Sequence, residues 1–422
     1  MFFHDLILRL RVPVILLRGS AEYGLIALSA YFDSQLSPME IEDRVRGFPS
    51  WFEVDLDRLG HNLDEIRGRA GVEVIPCVKA NAYGHGLVPV VAYLMTRGVG
   101  RFLVAKMWEA VQLREAGLDC GIINMDPLFL EGQFEEVVSQ GVIQTVFRRE
   151  TAEGLSRAAV GLGVEAEVFV KVDTGLNRVG VRHGEAADLI EYVSSLPGLR
   201  VGGMFSTFTE SHEFDEVQLS RMLALDEELR RRGITVPNKS MASSNALFHF
   251  PESYLDAVRP GIMLLGIYPE AGDRGLGIEL RASLSFKARL EHVKWVEEDE
   301  AVTYSRRFVA PRRMRVGTVH AGYSDGYPRG LTRKGVVRVG GEVRPVLGTV
   351  SVNHHVVDVD GLDVGVGDVV ELISREGENS LEALAGLAGI MVYKFCVELN
   401  PLIPRVYVEG GVPVAVWEPR LM

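Results

Sequence analysis

The stretch VIPCVKANAYGHG, residues 74–86, runs from a short apolar segment straight into Lys79 and then into a small turn that contains two glycines. Its β-rich start, VEVIPCV (72–78), is the first of eight strand candidates. The others are RFLVAK (101–106), GIINM (121–125), VIQTVF (142–147), AEVFVKV (166–172), VGGMFSTF (201–208), KSMASS (239–244) and VRPGIMLLG (258–266). Between most of them lie segments such as GLVPVVAYLMTRG and FDEVQLSRMLALDEELRRRG, with apolar residues at helical spacing and a closing glycine. Eight alternating units predict an α/β fold built on a (β/α)8 TIM-like barrel. An open doubly wound sheet is the rival architecture, and the lack of a GxGxxG turn disfavours it.

Beyond about residue 282 the texture changes. LSFKARLEHVKWV, VVRVGGEVRPVLGTVSVNHHVVDV and VGDVVELI alternate with a period of two between glycine-rich turns, which predicts a smaller, mainly β C-terminal domain. Its last helical segment is SLEALAGLAGI (380–390), and PRVYVEGG follows as a final strand. The expected division is an N-terminal extension at 1–45, the barrel at 46–281 and the β domain at 282–422.

With 422 residues, 47% hydrophobic and 24% charged, the chain has the composition of a globular enzyme. A net charge of −12 provides no basic field for nucleic acid. Cys77, Cys120 and Cys396 form neither a CxxC pair nor a metal-ligand spacing, so neither a disulfide framework nor a metal site is expected. Reduced thiols fit a cytoplasmic protein. Asp5, Arg9, Arg11, Arg18 and Glu22 interrupt the apolar N-terminal runs before signal or membrane-spanning length. That segment reads as an amphipathic appendage, or as residues upstream of a start near Met39.

Functional atoms of a parallel barrel gather where strands end. Lys79 sits at such an end, partly desolvated, which suits a lysine that adds covalently to a carbonyl. Tyr83 and the backbone around Gly84 and Gly86 are placed to reach an anionic group beside it.

VKANAYGHG resembles the cofactor-lysine motif of the alanine racemase family. The similarity continues in order through FPSWFEVDLDRLGHNL (48–63), KVDTGLNRVGV (171–181), DAVRPGIMLLGIYP (256–269), AVTYSRRF (301–308) and HAGYSDGYPR (320–329). It implies a pyridoxal 5'-phosphate enzyme that interconverts L- and D-amino acids, alanine foremost, as a homodimer whose active sites draw on both subunits. Proton removal from one face of Cα and return to the other calls for two bases. The resemblance assigns these to Lys79 and Tyr304. It gives the cofactor to Lys79, Tyr83, Arg259, Ser244, Gly261 and Ile262, with Thr207 at the position of a ring-stacking histidine. It gives the substrate to Arg178, Tyr323, Val352 and Asn353, and makes Lys171 a supporting lysine, carbamylated in some relatives.

The pattern departs at several places. Val352 and Asn353 replace the family's Met-Asp pair, Thr207 replaces a histidine, and Pro401 stands where a phosphate-touching tyrosine is expected. Thr349 and His212 replace an Arg and an Asp of the entrance. These changes predict a roomier site and a substrate larger than alanine. Of the neighbours His354 and His355, a strand ordinarily turns one outward and one into the core. The rival readings are a broad-specificity or other amino-acid racemase, a pyridoxal-phosphate decarboxylase, and a non-catalytic cofactor-binding paralogue.

Overall fold

The computed structural model describes residues 36–418. Most of the expected N-terminal extension lies outside the described residues. Its last part forms a helix, Pro38–Arg46, capped by a reciprocal Ser37–Glu40 pair. Ile41 pins this helix to Trp51, Val406 and Val408 of the β domain.

All eight expected strand positions form one parallel sheet: Glu73–Val74, Arg101–Val104, Gly121–Asn124, Ile143–Val146, Ala166–Asp173, Leu199–Phe205, Lys239–Ser240 and Ala257–Val258. The sheet closes on itself. Glu73–Val74 pairs with Ala257–Val258 on one side, and on the other a bridge joins Cys77 to Leu103, with Leu103 N–H donating to Pro76 O at 2.9 Å. Ile75, Leu103, Ile123, Ile143, Phe169, Phe205 and Ala257 point inward from seven of the strands and fill the barrel as one apolar layer. Each large side chain buried there contributes about 1.5–3 kcal/mol. The eighth segment is shorter as a strand than its sequence suggested: only Ala257–Val258 pairs, and Ile262–Leu265 is a 3-10 turn that follows Pro260 and Gly261.

The β domain is a nine-stranded sheet in the order Met314–Val319, His355–Asp358, Glu342–Leu347, Val336–Val339, Val369–Ile373, Leu284–Val296, Ser50–Asp55, Arg405–Glu409, Val412–Trp417. Leu284–Val296 is long enough to serve twice. Its first half pairs with Ser50–Asp55 and Val369–Ile373, and past a bulge at Leu290/His292 its second half pairs with Met314–Val319. Ser50–Asp55, which opens the segment assigned to the barrel, therefore belongs to this sheet, and the Phe52 and Phe286 rings meet at 4.4 Å. The sheet domain also carries a short helix, Val392–Val397, and a last strand beyond PRVYVEGG, Val412–Trp417. Among the described residues, no helix is long and apolar enough to cross a membrane.

Candidate active site

At the end of its strand the chain takes an unusual path. Ala80, Asn81, Ala82 and Tyr83 all have φ between 48° and 57°, a run of left-handed turn that ordinary side chains resist by about 1–2 kcal/mol per residue. Fixed partners hold it. The buried Glu109 carboxylate accepts the N–H groups of Ala80 at 2.6 Å, Ala105 at 2.9 Å and Lys106 at 3.1 Å, while Asn81 Oδ1 accepts from Leu87 N at 2.8 Å. Gly84 and Gly86 donate their N–H groups within the turn, to Ala80 O at 3.1 Å and Asn81 O at 3.0 Å, and both serve packing. A Cβ on Gly84 would lie 2.4 Å from Cys396 O, and one on Gly86 would lie 2.0 Å from Tyr407 Oη, so the two glycines let the β domain close against the turn.

The turn aims Lys79 into a cavity of about 580 Å³ at the barrel mouth, which Tyr83, Arg178, Thr207, Ser244, Arg259, Gly261 and Ile262 also line. Eight expected residues from distant segments thus share one space. At one side Ser244 Oγ accepts the Gly261 N–H at 3.0 Å. A Cβ on Gly261 would sit 2.7 Å from Tyr83 Oη, so the bare glycine lets the phenol hydroxyl pack close to this backbone at the cavity wall. Burial, then the nearby Cys77, raises the Tyr83 pKa well above the usual phenol value, which keeps its proton available for donation.

Arg259 is buried and fixed. It donates to Ser240 Oγ, to Ser206 O at 2.5 Å and to Met241 O at 3.4 Å, over the face of Phe205. None of these acceptors is a carboxylate, and burial lowers the guanidinium to about 10. Lys171 also packs on Phe205 and donates to Thr207 Oγ1 at 2.6 Å. Desolvation, then Arg259 and Arg178, lowers its pKa well below the usual lysine value, against the opposing pull of Asp173. A lysine, a cluster of hydroxyl and amide donors and a cationic floor in one recess fit a phosphorylated carbonyl cofactor such as pyridoxal phosphate.

Tyr304 is elsewhere. With Tyr323, Val352 and Asn353 it lines a second cavity, about 440 Å³, in the β domain, and the two cavities share no lining residue. Tyr304 is 69% exposed, so little among the described residues covers it. The loop around it is strained: Thr303, Ser305 and Arg306 have φ of 63°, 64° and 47°. Thr349 braces this loop by donating its backbone N–H to Thr303 Oγ1 at 2.5 Å and its hydroxyl to Tyr304 O at 3.1 Å. Val352 O accepts from Ser324 N and Oγ, and Asn353 Nδ2 donates to Ser324 Oγ at 2.9 Å.

The departures resolve one by one. Thr207 gives its hydroxyl oxygen to Lys171 rather than a ring to the cavity. Pro401 is exposed and away from the cavity, but the expected loss of an aromatic wall is offset by Tyr393, which lines it and meets the Tyr83 ring edge-on at 6.3 Å. Tyr393 went unseen because VYKFCV is too short to show a period. Glu210 and Glu270 also line the cavity, and burial raises the Glu210 carboxyl, with Asp215 and Glu270 adding to the shift. His212 faces a separate groove beside Phe250. His355 is buried against Tyr327, and its neighbour His354 stays outside.

Two family models cover the chain: the alanine racemase N-terminal domain matches residues 54–269, and the alanine racemase C-terminal domain matches 283–407. An alanine racemase of Clostridium perfringens is 34% identical over 379 residues, 87% of this chain and 97% of the relative. The solved alanine racemase of Clostridium difficile superposes with a TM-score of 0.83 at 30% identity, covering 88% of this chain and 99% of that one. A histidine racemase of Leuconostoc mesenteroides shares the fold at a TM-score of 0.79 and 26% identity, over 86% and 98% of the two chains. With both of its domains matched and its lysine turn and barrel-mouth cavity in place, the chain belongs to the alanine racemase family.

Proposed function

We propose that the protein is a pyridoxal-phosphate-dependent isomerase, an amino-acid racemase with alanine as its leading substrate. It works in the cytoplasm as a homodimer in which each active site uses both chains. The observation that carries this reading is the separation of the two bases. Lys79 shares a cavity with the phosphate donors and Arg259, whereas Tyr304 stands exposed in a different cavity of the same chain. A second copy would bring Tyr304 of the partner subunit over Lys79.

Ser244, Tyr83 and the backbone N–H of Ile262 would hold the phosphate, with the Gly261 N–H shared between it and Ser244 Oγ, while Lys79 would hold the carbonyl carbon and Arg259 the ring nitrogen. The cofactor, when bound, withdraws the electrons released as the Cα–H bond breaks. Lys79 Nζ takes or gives the proton on one face, and Tyr304 Oη does so on the other. A phenol with an ordinary pKa of about 10 needs nearby cations to act near neutrality. Arg178 and the Val352 N–H orient the substrate carboxylate. Arg259, a donor that keeps its own proton, would leave the ring nitrogen of the bound cofactor without a full positive charge, chemistry that favours return of the proton to Cα over loss of carbon dioxide.

A second reading, a racemase of broader specificity or of another amino acid, is favoured by the small Thr207 and by the two carboxylates, Glu210 and Glu270, in the cavity wall. α-Deuterium exchange in deuterium oxide, followed by NMR across a panel of amino acids, tests both. Alanine should exchange from either enantiomer, and Lys79→Ala should abolish it. Undiminished exchange in that variant would overturn the mechanism, and faster exchange of longer substrates would favour the second reading.

A further inference from the structure

Three neighbouring strands of the β domain bring together side chains that are far apart in sequence. Glu291 lies in the bulge of Leu284–Val296, where the pairing with Met314–Val319 shifts register. A bulge re-aims the side chain it frees. His320 directly follows Met314–Val319, and His354 directly precedes His355–Asp358, the strand that pairs with it. His320 Nδ1 lies 2.6 Å from one Glu291 oxygen and His354 Nε2 lies 3.1 Å from the other. The imidazole rings stand nearly perpendicular, 81° apart, with centroids at 5.0 Å. The three ligand atoms fall within 4.8 Å of one another.

We propose that Glu291, His320 and His354 form a binding site for a divalent transition metal, with zinc the best match. Two imidazole nitrogens and one carboxylate oxygen are the ligand set of borderline cations such as zinc, whereas magnesium and calcium take oxygen-rich shells. Ligands at about 2.0–2.1 Å around a tetrahedral ion stand about 3.3 Å apart. The present 2.6 and 3.1 Å separations reach that value through small rotations, because all three side chains are about 40% exposed. Solvent supplies the fourth position. The backbone beneath is firm: Ser351 N and Oγ donate to His354 O at 2.8 and 2.6 Å. The absence of cysteine spacing hid this site from the sequence, since its ligands meet only across paired strands.

His354 closes the turn that carries Val352 and Asn353 beside Tyr304. Bound metal ties that turn to Glu291 and His320.

The test is calorimetric titration of chelator-treated holoenzyme with zinc chloride, with thermal unfolding in parallel. The wild type should bind one zinc ion per chain more tightly than any background sites and gain thermal stability. His320→Ala/His354→Ala should lose that event while keeping its metal-free melting temperature, and Glu291→Gln should weaken it tenfold or more. Equal zinc binding by the wild type and the double variant, no binding by either, or the same response to magnesium would overturn the assignment. If the double variant fails to fold, each single histidine variant makes the same comparison.

Discussion

Glu109 Oε1 accepts the backbone N–H of Ala80 at 2.6 Å, so a buried carboxylate on the helix Met107–Glu115 holds the turn that follows Lys79. The same carboxylate serves Ala105 and Lys106. Glu109→Ala would strand three donors next to a strained left-handed run. At about 1–3 kcal/mol for each donor left buried without a partner, and less where water can reach it, the expected loss is about 2–4 kcal/mol in urea unfolding. Pyridoxal phosphate retention on gel filtration should fall with it. An unchanged unfolding midpoint would show that the turn holds itself.

Gly86 has φ of 98°, and its missing Cβ leaves room for Tyr407 Oη. Gly86→Ala combines backbone strain with a collision and should cost more than about 2 kcal/mol. Tyr407→Phe removes the colliding oxygen, at the expense of its 2.9 Å bond to His85 O. The double variant should therefore be more stable than the sum of the single losses. Strict additivity in chemical denaturation would mean that strain, not collision, dominates.

His85 is fully buried, and burial is the main cause that lowers its pKa to about 4, with Arg405 adding to it. The neutral ring is the folded form, whereas the unfolded chain takes up a proton near the ordinary value of about 6.5. Stability is thus fully present above pH 6.5 and lost as pH falls towards 4. The shift corresponds to an order of about 3 kcal/mol. His85→Asn should flatten the slope of unfolding free energy against pH in that window by up to one proton. Parallel slopes in the two proteins would remove His85 from the acid response.

Thr349 Oγ1 donates to Tyr304 O, and its N–H reaches Thr303 Oγ1, so one buried residue anchors the loop on both sides of the proposed base. Thr349→Val keeps the shape and the N–H but loses the hydroxyl bond, worth about 0.5–1.5 kcal/mol. Misplacing a reacting group slightly has a larger kinetic effect than a structural one. We expect exchange from the enantiomer that Tyr304 serves to slow about tenfold, with overall stability changed by less than about 2 kcal/mol. Equal slowing of both enantiomers would point to Lys79 or the cofactor instead.

The barrel was legible because each strand carries its own local signal, and the seven inward residues that fill it sit in those apolar runs. Ser50–Asp55 was misplaced for a complementary reason. Its alternation is that of any strand, and only its pairing with Leu284–Val296 and Arg405–Glu409 decides which sheet it joins. Tyr393 and Glu109 escaped notice because neither belongs to a motif. One enters the cavity from a six-residue helix and the other acts through hydrogen bonds to backbone.

For this protein the sequence by itself determined the order of elements, the position of Lys79 at a strand end and the residue types its chemistry requires, because these follow from local periodicity and ordered motifs. Tertiary structure alone decided which of those residues meet. It gathered Lys79, Tyr83, Ser244, Arg259 and Gly261 into one cavity, set Tyr304 apart in another, and placed Glu291, His320 and His354 within reach of a single ion. The physical reason is that register between strands, a left-handed turn and a β-bulge set the direction of a side chain, and each of them depends on partners remote in the chain.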